Sequence, residues 1–163
     1  VIPVLGKHVP GHWEPMKVWM SITPMEMLTQ RAAVRKAKGR VLIGGLGLGW
    51  LARRVAEKPG VKSVVVAEID NSLIKWYGKR AIGQNTKLIK ADVFGTMLKL
   101  GEEFDSILLD VWSSYGWNAE DEKLMGVYKA KPELRHKTWV WGSGESGRSS
   151  VSEGSHDQDQ QVG

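Results

Sequence analysis

The run Val41-Leu42-Ile43-Gly44-Gly45-Leu46-Gly47-Leu48-Gly49-Trp50 constrains this chain more than any other stretch. An apolar strand leads straight into a glycine-rich turn, and helical spacing begins at Leu51. A first strand that ends in such a turn and passes into a helix opens a layered α/β unit. Its glycines let a ligand approach the backbone, and the free amides and dipole at the helix start favour an anionic group there.

The rest of the chain repeats the alternation. Upstream, Thr23, Pro24 and Glu26 spell a capping box with proline in the first turn. They predict a helix to about Lys38, closed by Gly39, with Met25, Leu28 and Ala32 on one face. Downstream, strands are expected at Val64–Ala67, Leu88–Ile89, Phe104–Leu109 and, weakly, Thr138–Trp141. Between them, helices are expected over Leu51–Glu57, Asn71–Ala81, Val93–Leu100 and Glu120–Tyr128. Strands that are apolar throughout are buried on both faces, and strands alternating with helices form a parallel sheet with right-handed crossovers. The predicted class is a three-layer α/β/α sandwich around a mostly parallel sheet of about five strands. Residues 1–22, with Pro3, Pro10 and Pro15, read as an irregular arm with at most one short strand. Residues 142–163 read as a disordered acidic Ser/Gly tail, and residues 23–141 as the folded domain.

Three acids end successive strands beside the glycine turn. Glu68 lies nineteen residues after Gly49, where an acid grips the ribose hydroxyls of a bound nucleotide. Asp92 ends the next strand, where it either accepts from an adenine amino group or caps the following helix. Asp110 ends the fourth strand, facing the same edge, and is the candidate base. Asp70 reads as a helix cap. The glycines alone fit two cofactors, because Gly47-Leu48-Gly49-Trp50-Leu51-Ala52 also matches a dinucleotide fingerprint.

Taken in order, VLIGGLGLG, AEID, KADV and FDSILLDVW resemble the Rossmann-like class I S-adenosylmethionine-dependent methyltransferases. The nearest likeness is to the spermidine synthase branch, which also carries an E-M-L-T like Glu26-Met27-Leu28-Thr29 upstream of the loop. The resemblance covers about residues 24–112. It implies that Gly45, Gly47 and Gly49 line the amino-acid and ribose parts of S-adenosyl-L-methionine, or of its decarboxylated form. It further implies Glu68 on the ribose, Ile69 on the adenine, Asp92 and Val93 at the adenine edge, and Asp110 near the sulfonium and acceptor. The chain departs from polyamine synthases at Leu48, where they carry an Asp, and at Pro24-Met25, where they carry Tyr-His. It departs again at Val111-Trp112-Ser113-Ser114, where they carry Ser-Ser/Thr-Asp-Pro. Methyl transfer to a small molecule is therefore the first expectation. Aminopropyl transfer and a non-catalytic adenosyl-binding protein are the alternatives.

The acceptor is expected among aromatic residues. Trp112, Tyr115 and Trp117 follow Asp110, Tyr115 being a second candidate base, and Trp19 comes from the arm. Such rings stabilise a sulfonium or an amine, or else cover the sheet edge. Trp50 is expected over the cofactor, whereas Trp76, Trp139 and Trp141 read as packing. The sheet stops after Trp141, short of the two further strands of a full methyltransferase, which makes a homodimer covering the open edge an expectation.

Composition narrows the classes. The 163 residues suit one domain, and the absence of Cys excludes disulfides, thiolate zinc sites and Cys nucleophiles. With no membrane-length apolar run and no signal-peptide pattern, the expected setting is cytoplasmic. His8 and His12 are separated by Pro10 and Gly11, so no metal is expected. The net charge is +5; the tail holds Arg148 against Glu145, Glu153, Asp157 and Asp159, which leaves the body at +8. A basic body attracts anionic ligands in general, and nothing beyond charge singles out nucleic acid.

Overall fold

The computed structural model describes residues 4–7, 17–21, 23–112 and 117–142. Two strands, β1 (Val4–Lys7) and β2 (Lys17–Ser21), pair antiparallel where at most one strand was expected. The prolines of the arm fall outside both strands, and Gly6 absorbs a register shift within β1. Residues 143–163, which hold nearly all of the expected tail, lie outside the described residues.

Helix α1 (Pro24–Lys36) starts on the expected capping box: Thr23 accepts from the Glu26 amide, and the Glu26 carboxylate accepts from the Thr23 amide. It ends at Lys36, before Gly39. Gly39 instead opens strand β3 (Gly39–Gly44) at φ +61°, where a Cβ would collide with the Asp105 side chain. The Asp105 carboxylate accepts from the Arg40 amide at 2.7 Å, so this glycine serves the strand start rather than the helix end.

The remaining elements follow the predicted order: α2 (Trp50–Ala56), β4 (Val61–Glu68), α3 (Asn71–Ala81), β5 (Thr86–Lys90), α4 (Val93–Leu100), β6 (Ser106–Leu109), α5 (Ala119–Ala130) and β7 (Thr138–Val140). Residues Pro132–Lys137 form a 3-10 segment that apolar periodicity did not announce. Its Leu134 is fully buried and packs against Gly101.

The main sheet has the order β5-β4-β3-β6-β7, and every pair is parallel. The strands are longer than their apolar cores: exposed Lys87 and Lys90 continue the ladder of β5, and in β4 Lys62 is the extra residue of an irregularity between the pairs Gly39–Val61 and Arg40–Ser63. One core layer joins Ala33 of α1 and Ala37 at its C-cap to Val55 of α2, Leu73 of α3 and Val41, Ile43 and Val66 of the sheet. The other joins Met97 of α4, Val127 of α5 and Leu134 to Leu42, Ile107 and Leu109. Alternate residues of one strand thus serve opposite layers, the period of two that a doubly covered sheet requires. Trp139 and Trp141 pack against these cores, but Trp76 does not: it lies on the outer face of α3 and is 86% exposed.

Candidate functional site

Strand order reverses between β3 and β6, because the chain builds β4 and β5 on one side and then crosses to β6 and β7 on the other. Loops at the carboxyl ends of two such strands part and leave a crevice. A cleft of about 320 Å³ lies there, between the turn after β3, the end of β4, the segment after β6 and one face of α1.

The predicted glycines of the turn have three different jobs. Gly45 sits at φ +89°, and a Cβ would come within 2.5 Å of the Asp110 carbonyl, so it lets β3 and β6 approach. Gly49 sits at φ +75° as the N-cap of α2, and a Cβ would fall 2.3 Å from the Ala81 carbonyl, so it seats α2 against α3. Gly47 sits at φ +52° with nothing within 4 Å of where a Cβ would be, and it faces the cleft. Of the three, only Gly47 leaves space that a bound group could occupy.

Two carboxylates from strand ends reach the cleft. Glu68 is 6% exposed. One of its oxygens accepts from the Leu46 amide and the other from the Asp70 amide, each at 2.8 Å. Glu68 thereby holds the glycine turn while keeping lone pairs for a hydroxyl. Asp110 accepts from the Gln30 side-chain amide. Burial pushes the Asp110 carboxyl up to about 6; the Gln30 hydrogen bond opposes this, and the nearby Glu26 carboxylate adds to it. Such a group changes protonation near neutral pH, as a proton acceptor must.

The other predicted residues divide. Ile69 is 68% exposed and lines the cleft. Trp112 also lines it, buried and edge-on to Phe94. Trp50 lines it at the start of α2, with the Arg54 guanidinium 5.9 Å from its ring. Asp92 does not line it: its carboxylate accepts from the Phe94 amide and caps α4, so the helix-cap alternative is the one seen. Val93 is buried against Gly44, and Trp117 is exposed outside the cleft. Tyr115 and the Trp19 side chain lie outside the described residues.

Glu26 and Gln30 are the functional candidates that sequence reasoning missed. Glu26 read as a cap and as part of the E-M-L-T likeness, with no role at the site, yet it also accepts from the Ser21 hydroxyl at 2.6 Å and lines the cleft. Their spacing of four residues puts both on one helical face, which was a readable signal. Trp141, expected as packing alone, lines the cleft too. Among the described residues that line it, Glu26, Glu68 and Asp110 are acidic and none is basic.

No protein-family profile matches the chain, and no curated protein matches it by sequence. Among solved structures it is similar to the N-methyltransferase NodS from Bradyrhizobium japonicum WM9, with a TM-score of 0.50 and 15% identity over 69% of this chain and 63% of that one. The fold is that of the class I S-adenosylmethionine-dependent methyltransferases. The chain is also similar to spermidine synthase from Thermotoga maritima, with a TM-score of 0.45 and 19% identity over 60% of this chain and 40% of that one. The chain thus spans less than two thirds of either protein. Among the described residues of this methyltransferase fold, no group of three or more His, Cys, Asp or Glu could hold a metal ion. None of their helices is long and apolar enough to cross a membrane.

Proposed function

We propose that the chain is an S-adenosylmethionine-dependent methyltransferase acting on a small-molecule amine. The observation that carries this reading is the open space at Gly47, bordered in one cleft by the buried Glu68 carboxylate and by Asp110. The residues fit the cofactor. Glu68 would accept from the ribose hydroxyls, Ile69 would pack on the adenine, and the backbone at Gly45 and Gly47 would approach the amino-acid arm. S-adenosylmethionine held there would supply a methyl group on a sulfonium, to be taken up by an amine lone pair with the carbon–sulfur electron pair left on the sulfur. Asp110 would accept the proton that the acceptor nitrogen gives up, and Gln30 would hold its carboxylate in place. An acidic lining favours a basic acceptor by simple complementarity.

The same lining supports a second reading, aminopropyl transfer. A cofactor carboxylate finds no basic side chain among the described lining residues, whereas the decarboxylated form needs none. Calorimetry with S-adenosylmethionine, its decarboxylated form and methylthioadenosine separates the readings. Methyl transfer expects the first to bind at least as tightly as the second, and aminopropyl transfer expects the reverse. If none binds, or if Glu68→Ala leaves affinity unchanged, both readings fail.

A further inference from the structure

We infer that the outer face of α3, together with the edge strand β5, is a docking surface for single-stranded nucleic acid. Residues 71–91 contain Lys75, Lys79, Arg80, Lys87 and Lys90 and no acid. All five cations are exposed, and among the described residues none of them is in an ion pair; on β5, Lys90 shares the side of Leu88, which meets α3, whereas Lys87 shares the side of Ile89 in the other layer. Trp76 stands among them at 86% exposure, the most exposed of the large apolar side chains described.

The arrangement has a regular spacing. Lys75 to Lys79 and Trp76 to Arg80 are each one turn apart, about 6 Å along the helix. Trp76 thereby has Arg80 one turn further along its own line, with Lys75 and Lys79 on the neighbouring line of the same exposed face. Charges at such spacing track a phosphate backbone, and a free ring offers a stacking platform that any base satisfies.

Lysines on an edge strand also guard against pairing with other sheets, which accounts for Lys87 and Lys90 without any ligand. That role requires no exposed tryptophan and no cations on the neighbouring helix. An anionic membrane is the other polyanionic surface to consider. The apolar side of α3, through Leu73, Gly78 and Ala81, is turned into the core, so a single ring is left to insert. A surface rich in charge and poor in apolar area fits a strand of phosphates better than a bilayer. The helix α5 in the opposite layer differs: it carries Glu120, Asp121 and Glu122 against Lys123 and Lys129. The inference is independent of the adenosyl reading, because none of its residues lines the cleft.

The test is fluorescence anisotropy with labelled single-stranded RNA and DNA of about 20 nucleotides, long enough for a full site, over a range of salt. The full chain should bind at low salt. Trp76→Ala should weaken binding about tenfold, the loss of one stacked base. The double variant Lys79→Glu/Arg80→Glu should flatten the slope of log K against log salt by about 1.4, two phosphate contacts' worth. Lys129→Glu on α5 should change neither quantity, and unchanged circular dichroism shows that the variants are folded. The inference is overturned by absence of saturable binding, by full affinity in Trp76→Ala, or by an equal effect of Lys129→Glu. Binding to phosphatidylserine vesicles that depends on Trp76, without binding to the oligonucleotides, overturns it as well. Cofactor affinity should be the same in Trp76→Ala and the parent chain, so failure of this inference and failure of the cleft reading are seen separately.

Discussion

Replacing Asp110 by Asn tests the electrostatics of the cleft directly. Asn has nearly the same shape, and its carbonyl oxygen still accepts from Gln30, so packing and the hydrogen bond are kept. Only the ability to ionise is removed. The native state holds this carboxyl at about 6, against an ordinary aspartate value of 3.8. That separation corresponds to about 3 kcal/mol between the two protonation states. Because the native pKa is raised, the folded protein binds the extra proton between those values, and stability falls as pH rises through them. Asp110→Asn escapes that loss. Its advantage over the parent chain should grow from below about 1 kcal/mol at pH 4 to about 3 kcal/mol above pH 7. Urea unfolding of both proteins across this range reads the difference, in which the titrations of all other groups cancel to first order. A difference that does not change with pH, or one that shrinks as pH rises, would refute the reasoning. Transfer activity should be lost in the same variant if Asp110 takes the proton.

Other changes separate local roles. Glu26→Gln keeps the cap but removes a like charge, so the Asp110 carboxyl should titrate lower than in the parent chain, as followed by carboxyl NMR. Gly47→Ala should cost about 1–2 kcal/mol for its left-handed backbone and yet weaken adenosyl binding more than tenfold, because a methyl group enters open cleft. Gly49→Ala should lose more than about 2 kcal/mol in urea unfolding, since strain adds to overlap with the Ala81 carbonyl. Asp92→Ala should lose about 1 kcal/mol of stability with the cap and leave adenosyl affinity unchanged in calorimetry.

Local chemistry made much of this protein legible in its sequence. The capping box at Thr23, the Asp70 and Asp92 caps, and the apolar blocks at 41–43, 64–67 and 104–109 depend on neighbours a few residues away. They specified α1, α3, α4 and a parallel sheet, and the glycine turn located the edge where the cleft opens. The hairpin of β1 and β2 was not legible, because its pairing depends on register between segments that carry no alternating apolar pattern of their own.

Tertiary structure decided the identity of the cleft's working groups. Gln30 and Asp110 are eighty residues apart, and only the crossover from β5 to β6 brings the end of β6 against α1. The three predicted glycines look alike in sequence, but their neighbours make one a strand contact, one a helix seat and one an open cradle. Asp92 and Glu68 both read as strand ends in the sequence; the first lies just past β5 and caps a helix, and the second is the last residue of β4 and turns inward to hold the loop. Trp76 has the composition of a core residue and the position of a surface one. Helix and strand preferences are set by short-range sterics and hydrogen bonds. Which side chains share a cleft is set by how distant elements pack, and no local pattern carries that information.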